Sequence, residues 1–266
     1  MRTLVKLYFY LLSRIWPALA AKHAGRLLFT PQLPASLPDM PSPDEVVCVS
    51  DDTCVMIWRG QGKTVLLMHG WSGAVEQFTH LLPRLLHLGC RVVAPVPKGH
   101  RYQGEGRSHP GYFIKAVNEV LTYQSLRVHA AIGHSMGGSA LALHGVSHLQ
   151  IARVVLIGAP AGLTGVLNRF GHFLGFNQRA QNALYALADS TVGVSHEAMD
   201  AATHLMKTAQ RALVIHDKDD REVPFKDAEQ YVMKHPDARL YSTEGFGHRR
   251  ILQNDAVINE IIDFIR

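Results

Sequence analysis

The chain has 266 residues, 47% hydrophobic and 18% charged, enough for one large core and too apolar for a disordered chain. Its net charge of +5 sits at the front: residues 1–38 hold Arg2, Lys6, Arg14, Lys22 and Arg26 and no acid, while the remainder balances 22 basic against 22 acidic side chains. A basic front on a neutral body argues against a nucleic-acid-binding domain, and Cys48, Cys54 and Cys90 have neither metal-ligand spacing nor an even count, so no disulfide framework and a reducing, cytoplasmic compartment are expected.

In MRTLVKLYFYLLSRIW, apolar residues fall at Leu4, Val5, Leu7, Tyr8, Leu11, Leu12, Ile15 and Trp16, the spacing of an amphipathic helix. Lys6 and Arg14 interrupt it well short of the ~20 apolar residues that span a bilayer. Three roles fit residues 1–16: a helix docked on the protein's own body, a weak contact with a membrane surface, or a signal cleaved near Ala18-Leu19-Ala20 and leading to export. TPQLPASLPDMPSPDE follows, and its five prolines predict an extended strap. Residues 1–45 are therefore set apart from a main domain at 46–266.

From Val46 the texture alternates between strand and helix. EVVCVS and TCVMIW predict a hairpin, and TVLLMH a strand buried on both faces. A helix is expected near Val75–His87, then strand CRVVAP, a helix within 111–126, strand RVHAAI and a helix after Ser135. Strands RVVLIG, RALVIH and ARLYST follow, with helices near Lys226–Lys234 and at the C-terminus. This alternation predicts an α/β fold, a mainly parallel sheet covered by helices on both faces. Residues 163–208 interrupt it with a helical, apolar pattern that includes Phe170, Phe173, Leu174, Phe176, Leu184 and Tyr185. They are expected to form a small helical cap over the carboxyl edge of the sheet, where open α/β sheets bind ligands.

The segment AAIGHSMGGSALALHG places Ser135 among Gly133, Gly137 and Gly138 where a strand becomes a helix. A serine hydroxyl needs a neighbouring base to become a nucleophile and a sharp turn to expose it. G-x-S-x-G between strand and helix is that turn, with Gly133 and Gly137 giving room for close approach and the Met136 N–H aimed at the developing oxyanion. The chain order nucleophile, acid, histidine then directs attention to DKDDREVPF and EGFGHRRIL, where His248 lies in a loop after the last strand. His69 and His134, at strand ends, are expected to brace the site. His87, His144, His148 and His235 are expected to be solvated.

Taken together, LLMHGWSG, VVAPVPKGH, GHSMGG, HDKDDREVP and GFGHRR resemble the α/β-hydrolase superfamily over roughly residues 46–266. The resemblance implies Ser135 as nucleophile, His248 as general base and Asp220 as the acid, with Asp219 as its nearest rival and Asp217 where the family usually has glycine. It also implies the Trp71 N–H as the second oxyanion donor beside Met136. The implied activity is a serine hydrolase acting on a small-molecule carboxylic ester or thioester, without metal or organic cofactor. The alternatives are a non-catalytic binding protein that keeps the pocket and a membrane-surface lipase or acyltransferase. One stretch departs from the family: VVAPVPKGHR has Val96 for aspartate and Arg101 for glycine, beside the pocket entrance.

Overall fold

The computed structural model describes residues 2–101, 106–123, 126–144, 151–206, 211–235 and 237–266, with Arg2 described for its backbone alone. Among them, eight strands form one sheet in the order β1-β2-β4-β3-β5-β6-β7-β8. These are β1 Glu45–Ser50, β2 Thr53–Trp58, β3 Thr64–Met68, β4 Arg91–Pro97, β5 Val128–His134, β6 Ile151–Ile157, β7 Arg211–Asp217 and β8 Ala238–Thr243. β1 and β2 pair antiparallel, as does β2 with β4, and every other pairing is parallel. The central strands are Val-, Ile- and Leu-rich and buried beyond their first residues, because helices cover both faces.

One face packs on α4 Pro110–Thr122, α5 Met136–Leu143, α8 Ala201–Met206 and α9 Phe225–Lys234, through Phe113, Leu141, Leu205 and Tyr231. The other packs on α3 Leu82–His87 and α11 Asp255–Ile265, through Leu82, Leu85, Ile258 and Ile261. The single helix expected over Val75–His87 is instead a 3-10 turn, Val75–Phe78, followed by α3. Pro83 lacks an N–H and disfavours helical geometry in the residue before it, so it is tolerated only in the first turn of a new helix.

Between β6 and β7 lie α6 Leu163–Leu174, α7 Gln178–Val192 and α8. α8 lies against α5 and α9 on the body of the sheet, whereas α6 and α7 pack with the front of the chain; residues 207–208 of the expected insertion lie outside the described residues. The front comprises α1 Arg2–Ile15 and α2 Pro17–Leu28. The second of these helices went unread in the sequence, although Pro17 stands at a first helical position, where its missing N–H costs nothing. Phe9, Ala21, Ala24 and Phe29 pack with Leu167, Leu174, Leu184 and Ala188. After α2 the strap is pinned by hydrogen bonds: the Gln32 N–H donates to Ser72 Oγ (2.9 Å), Thr79 Oγ1 to Asp39 O (2.6 Å) and Trp58 Nε1 to Pro41 O (2.9 Å). Among the described residues no helix is long and apolar enough to cross a membrane.

The cysteines correct an expectation. Cys48 and Cys54 face each other across the β1–β2 hairpin and are joined as a disulfide, leaving Cys90 as the free, buried thiol. An odd count does not forbid one bridge, and the register that placed these two residues opposite is a product of the short turn. Mass spectrometry after alkylation in denaturant should therefore find one modified cysteine without reductant and three with it. Three in both conditions would rule the bridge out.

Candidate active site

Ser135 occupies the turn between β5 and α5 at φ 52°, ψ −122°, a backbone conformation that a non-glycine residue holds only under strain. The Ser135 N–H donates to Ile157 O (2.8 Å), which ties the turn to β6. A Cβ on Gly137 would lie 2.3 Å from the Met68 carbonyl oxygen and 2.4 Å from that of His69, and one on Gly133 would lie 2.6 Å from the Gly138 nitrogen. Those contacts are the physical reason for the two glycines: any side chain would push α5 off the end of β3. Met136 begins α5, so its N–H has no acceptor within the helix.

The loops after β7 and β8 carry the remaining groups. His248, in the short helix α10 Gly247–Arg250, is buried, and its Nδ1 lies 2.6 Å from Asp220 Oδ2. Asp220 Oδ1 accepts the N–H groups of Glu222 (2.8 Å) and Val223 (2.9 Å). His216 Nε2 lies 3.5 Å from Asp220 Oδ2 and donates to Val223 O (2.9 Å). Burial alone would raise the carboxyl's pKa; hydrogen bonds from His216, His248 and the Val223 N–H outweigh it and hold Asp220 ionised well below the usual carboxylate range. His248 Nδ1 is committed to this carboxylate, which leaves Nε2 as the ring nitrogen without a bond to Asp220.

Asp217 and Asp219 do not touch the imidazole. Asp217 is 1% exposed, and its carboxylate accepts from Thr243 Oγ1 (2.7 Å), the Asp219 N–H (3.0 Å) and the Phe246 N–H (3.1 Å), so it shapes the loop that carries His248. Asp219 is exposed and accepts the Gly245 N–H (2.9 Å).

Two further residues went unread in the sequence. Gly158, at φ +56° just beyond β6, has its missing Cβ 3.2 Å from His248 Nδ1 and 3.5 Å from Asp220 Oδ2. His216, near the end of β7, lies beside Asp220. Each is visible only when β6, β7 and α10 converge, although a glycine ending a buried strand is a signal of close approach.

Ser135 and His248 line one cavity of about 370 Å³ together with Trp71 and Met136. No hydrogen bond joins the serine and histidine side chains among the described residues; such contacts often close only when substrate is bound. The rest of the lining is mainly apolar. Leu163, Val166, Phe170 and Phe173 come from α6, and Leu28 and Phe29 from the end of α2. Phe170 and Phe173 line the cavity, whereas Leu174 and Leu184 are buried in the cluster shared with the front of the chain. Arg169 enters the wall with its charge met by Asp227 (3.4 Å).

His69 and His134 are both buried beside the elbow. His134 Nε2 donates to the backbone carbonyl of His248 (2.9 Å), and His69 Nδ1 lies 2.9 Å from Gly70 O. Burial, reinforced by neighbouring imidazoles, pushes the pKa of each down to about 3 and keeps the rings neutral. His100 is held down to about 4, chiefly by burial. Of the histidines expected to be solvated, His87 is exposed, His144 half-buried and His235 buried at 3% exposure behind α9, a correction; His148 lies outside the described residues. Arg101 keeps a left-handed φ of 37° where the family has glycine, and its guanidinium pairs with the buried Glu76. Val96 lies within β4, opposite Cys54. Among the described residues no group of three or more His, Cys, Asp or Glu is placed to hold a metal ion.

A parallel sheet covered on both faces, with a strained serine after β5 and an Asp–His pair after β7 and β8, defines an α/β-hydrolase fold. The chain belongs to the alpha/beta hydrolase family, whose sequence pattern matches residues 65–260. It is 26% identical to a non-heme haloperoxidase of Rhodococcus erythropolis over 82% of this chain and 98% of that protein. It is 32% identical to a non-heme chloroperoxidase of Kitasatospora aureofaciens over 43% of this chain and 44% of the other, so the match takes in less than half of that relative's length. Among solved structures, an esterase from Exiguobacterium antarcticum superimposes with a TM-score of 0.63 at 18% identity, covering 85% of this chain and 99% of the esterase.

Two outcomes follow from the packing. Gly158 holds a left-handed φ that a residue with a Cβ adopts only under strain, and its added methyl would press on His248, so Gly158→Ala should lower kcat at least tenfold with the circular dichroism spectrum unchanged; full activity would show that the close approach is unimportant. The second concerns acid. The folded pKa values of His69, His100 and His134 lie below the unfolded value near 6.5, so their unfolded forms bind the extra protons. Stability is therefore complete above about pH 6.5 and falls as the pH drops toward 4, by up to about 4 kcal/mol per pH unit when all three contribute. Urea midpoints between pH 7.5 and 5 should show this slope, and His134→Gln should reduce it by about one proton.

Proposed function

We propose that the protein is a serine hydrolase that cleaves a small-molecule carboxylic ester or thioester through an acyl-enzyme. One observation carries the reading: a serine on a strained strand-to-helix turn and a histidine with Nδ1 2.6 Å from a buried carboxylate line the same apolar cavity. The esterase among the structural neighbours agrees with it.

Ser135 Oγ attacks the carbonyl carbon while its proton passes to His248 Nε2. Asp220, already ionised, stabilises the imidazolium that forms. The carbonyl oxygen takes the electron pair and is met by the Met136 and Trp71 N–H groups, the former strengthened by the positive end of α5. The intermediate collapses, expelling the alcohol or thiol with the proton returned by His248. Water then repeats the sequence on the acyl-serine, releasing the acid and restoring the hydroxyl. These steps call for neither metal nor organic cofactor. We read α6 and α7 as a small cap that supplies the acyl-binding wall.

A fluorophosphonate probe should label Ser135 alone, and Ser135→Ala should lose the label and on the order of 10⁴-fold or more in kcat. Labelling that survives the substitution would overturn the nucleophile, and absence of both labelling and turnover in the native protein would favour a non-catalytic binding protein. Each methylene taken into the cavity is worth roughly 0.8 kcal/mol, so kcat/KM should rise about fourfold per carbon over the first members of a p-nitrophenyl ester series. A profile flat from acetate to octanoate would argue against an apolar acyl pocket. The haloperoxidase relatives supply the second reading, halide oxidation; bromination of an organic acceptor with bromide and hydrogen peroxide, lost in Ser135→Ala, would favour it. The cytoplasmic expectation is tested by trapping thiols with acid in whole cells: three free cysteines support it, and one places the folded chain in an oxidising compartment.

A further inference from the structure

The apolar stripe of α1 faces outward. α1 packs on the protein through Phe9 and Ser13, both buried, while Leu4, Leu7, Leu11 and Ile15 are exposed at 71%, 52%, 51% and 63%. Trp16 and Leu19 extend the face onto α2, and Ile15 to Leu19 line a shallow surface hollow. Ten of the sixteen exposed large hydrophobic side chains among the described residues lie between Leu4 and Leu27. Isolated exposed leucines call for no explanation, but a continuous apolar patch of this kind marks a surface that meets something.

The charge beside the patch identifies its counterpart. Lys6, Arg14, Lys22 and Arg26 are exposed along the same two helices, and no acidic residue occurs before Asp39. Tyr8, Tyr10 and Trp16, all exposed, are aromatic residues with a polar tip, suited to a boundary between hydrocarbon and water. An apolar helix face whose own helices carry only cations is complementary to an anionic lipid surface, in which the helices lie flat at the headgroup boundary and do not span.

The patch is joined to the cavity that holds Ser135. Leu28 and Phe29, at the end of α2, line that cavity. Phe173 lines it too and is 47% exposed, with the Lys6 ammonium 4.5 Å from its ring centre. We propose that α1 and α2 dock the protein on an anionic membrane surface, which brings the mouth of the cavity to acyl esters carried in that surface. The choice of substrate rests on the hydrolase reading; the docking does not.

The full chain should co-sediment with phosphatidylcholine vesicles containing 30% phosphatidylglycerol, bind pure phosphatidylcholine at least tenfold more weakly, and be released by 0.5 M salt. Leu11→Asp/Ile15→Asp changes two exposed side chains outside the cavity. It should bind the anionic vesicles at least tenfold more weakly, lose hydrolysis of a monoacylglycerol embedded in them, and keep the turnover of soluble p-nitrophenyl butyrate. Equal sedimentation of variant and native protein, or none of the native protein, overturns docking while leaving the hydrolase reading intact. A native dimer that the variant converts to monomer, without vesicle binding, assigns the face to a second copy of this chain and also overturns it. Salt-sensitive binding without hydrolysis of either ester supports docking and instead defeats the hydrolase reading.

Discussion

The close approach of α5 to the end of β3 governs the arrangement around Ser135. Gly137 lies against the carbonyl oxygens of Met68 and His69, a distance at which no side chain fits, and this contact sets how far the helix N-terminus advances over the sheet. Because β3 and β5 are parallel neighbours, Met68 pairs with Gly133 and the loops leaving both strands open on the same side. Trp71 and Met136 therefore come to one cavity wall from segments 65 residues apart. The strain in the Ser135 backbone, of the order of 1–3 kcal/mol, is carried by this packing and by the Ser135 N–H bond to β6.

A second constraint is the cost of burying charge. Asp220 is removed from water and remains ionised because its oxygens are met by His248 and two backbone N–H groups, with His216 close by. Asp217, three residues earlier, achieves the same by binding Thr243 and the loop after β8. The two carboxylates divide the work between them, one facing the imidazole and the other holding the segment that carries it. His134 and His69 follow the opposite course and are buried neutral, which makes them sound packing elements near neutral pH and a liability in acid.

The front of the chain is governed by competition for apolar contact. α2 is rich in alanine and glycine on the side that meets α7, so the helices approach closely without bulky side chains. Phe9 of α1 packs into the same cluster, near the ring of Phe176. The larger apolar residues of α1 are left outside. A periodic stripe reports that a helix has two chemically different faces; which face meets the protein depends on where small residues permit approach.

Much of the architecture was legible in the residues. β-branched runs marked each central strand, because strands buried on both faces need them, and the glycines around Ser135 marked the elbow because their spacing reflects local backbone crowding. The family resemblance, rather than spacing alone, pointed to Asp220 among three nearby aspartates, and the contact with His248 was then found at that register. Pro83 also marks locally where the helix is interrupted, although the apolar period runs across it. Other features belong to the tertiary structure alone. Gly158 against His248, His216 against Asp220, the Cys48–Cys54 bridge and the outward face of α1 each join segments whose distance in space is set by sheet order and helix packing. A sequence records which side chains can make such contacts, since propensity and periodicity act over a few residues. Which pairs actually meet is decided when the whole core closes and every buried polar group must find its partner.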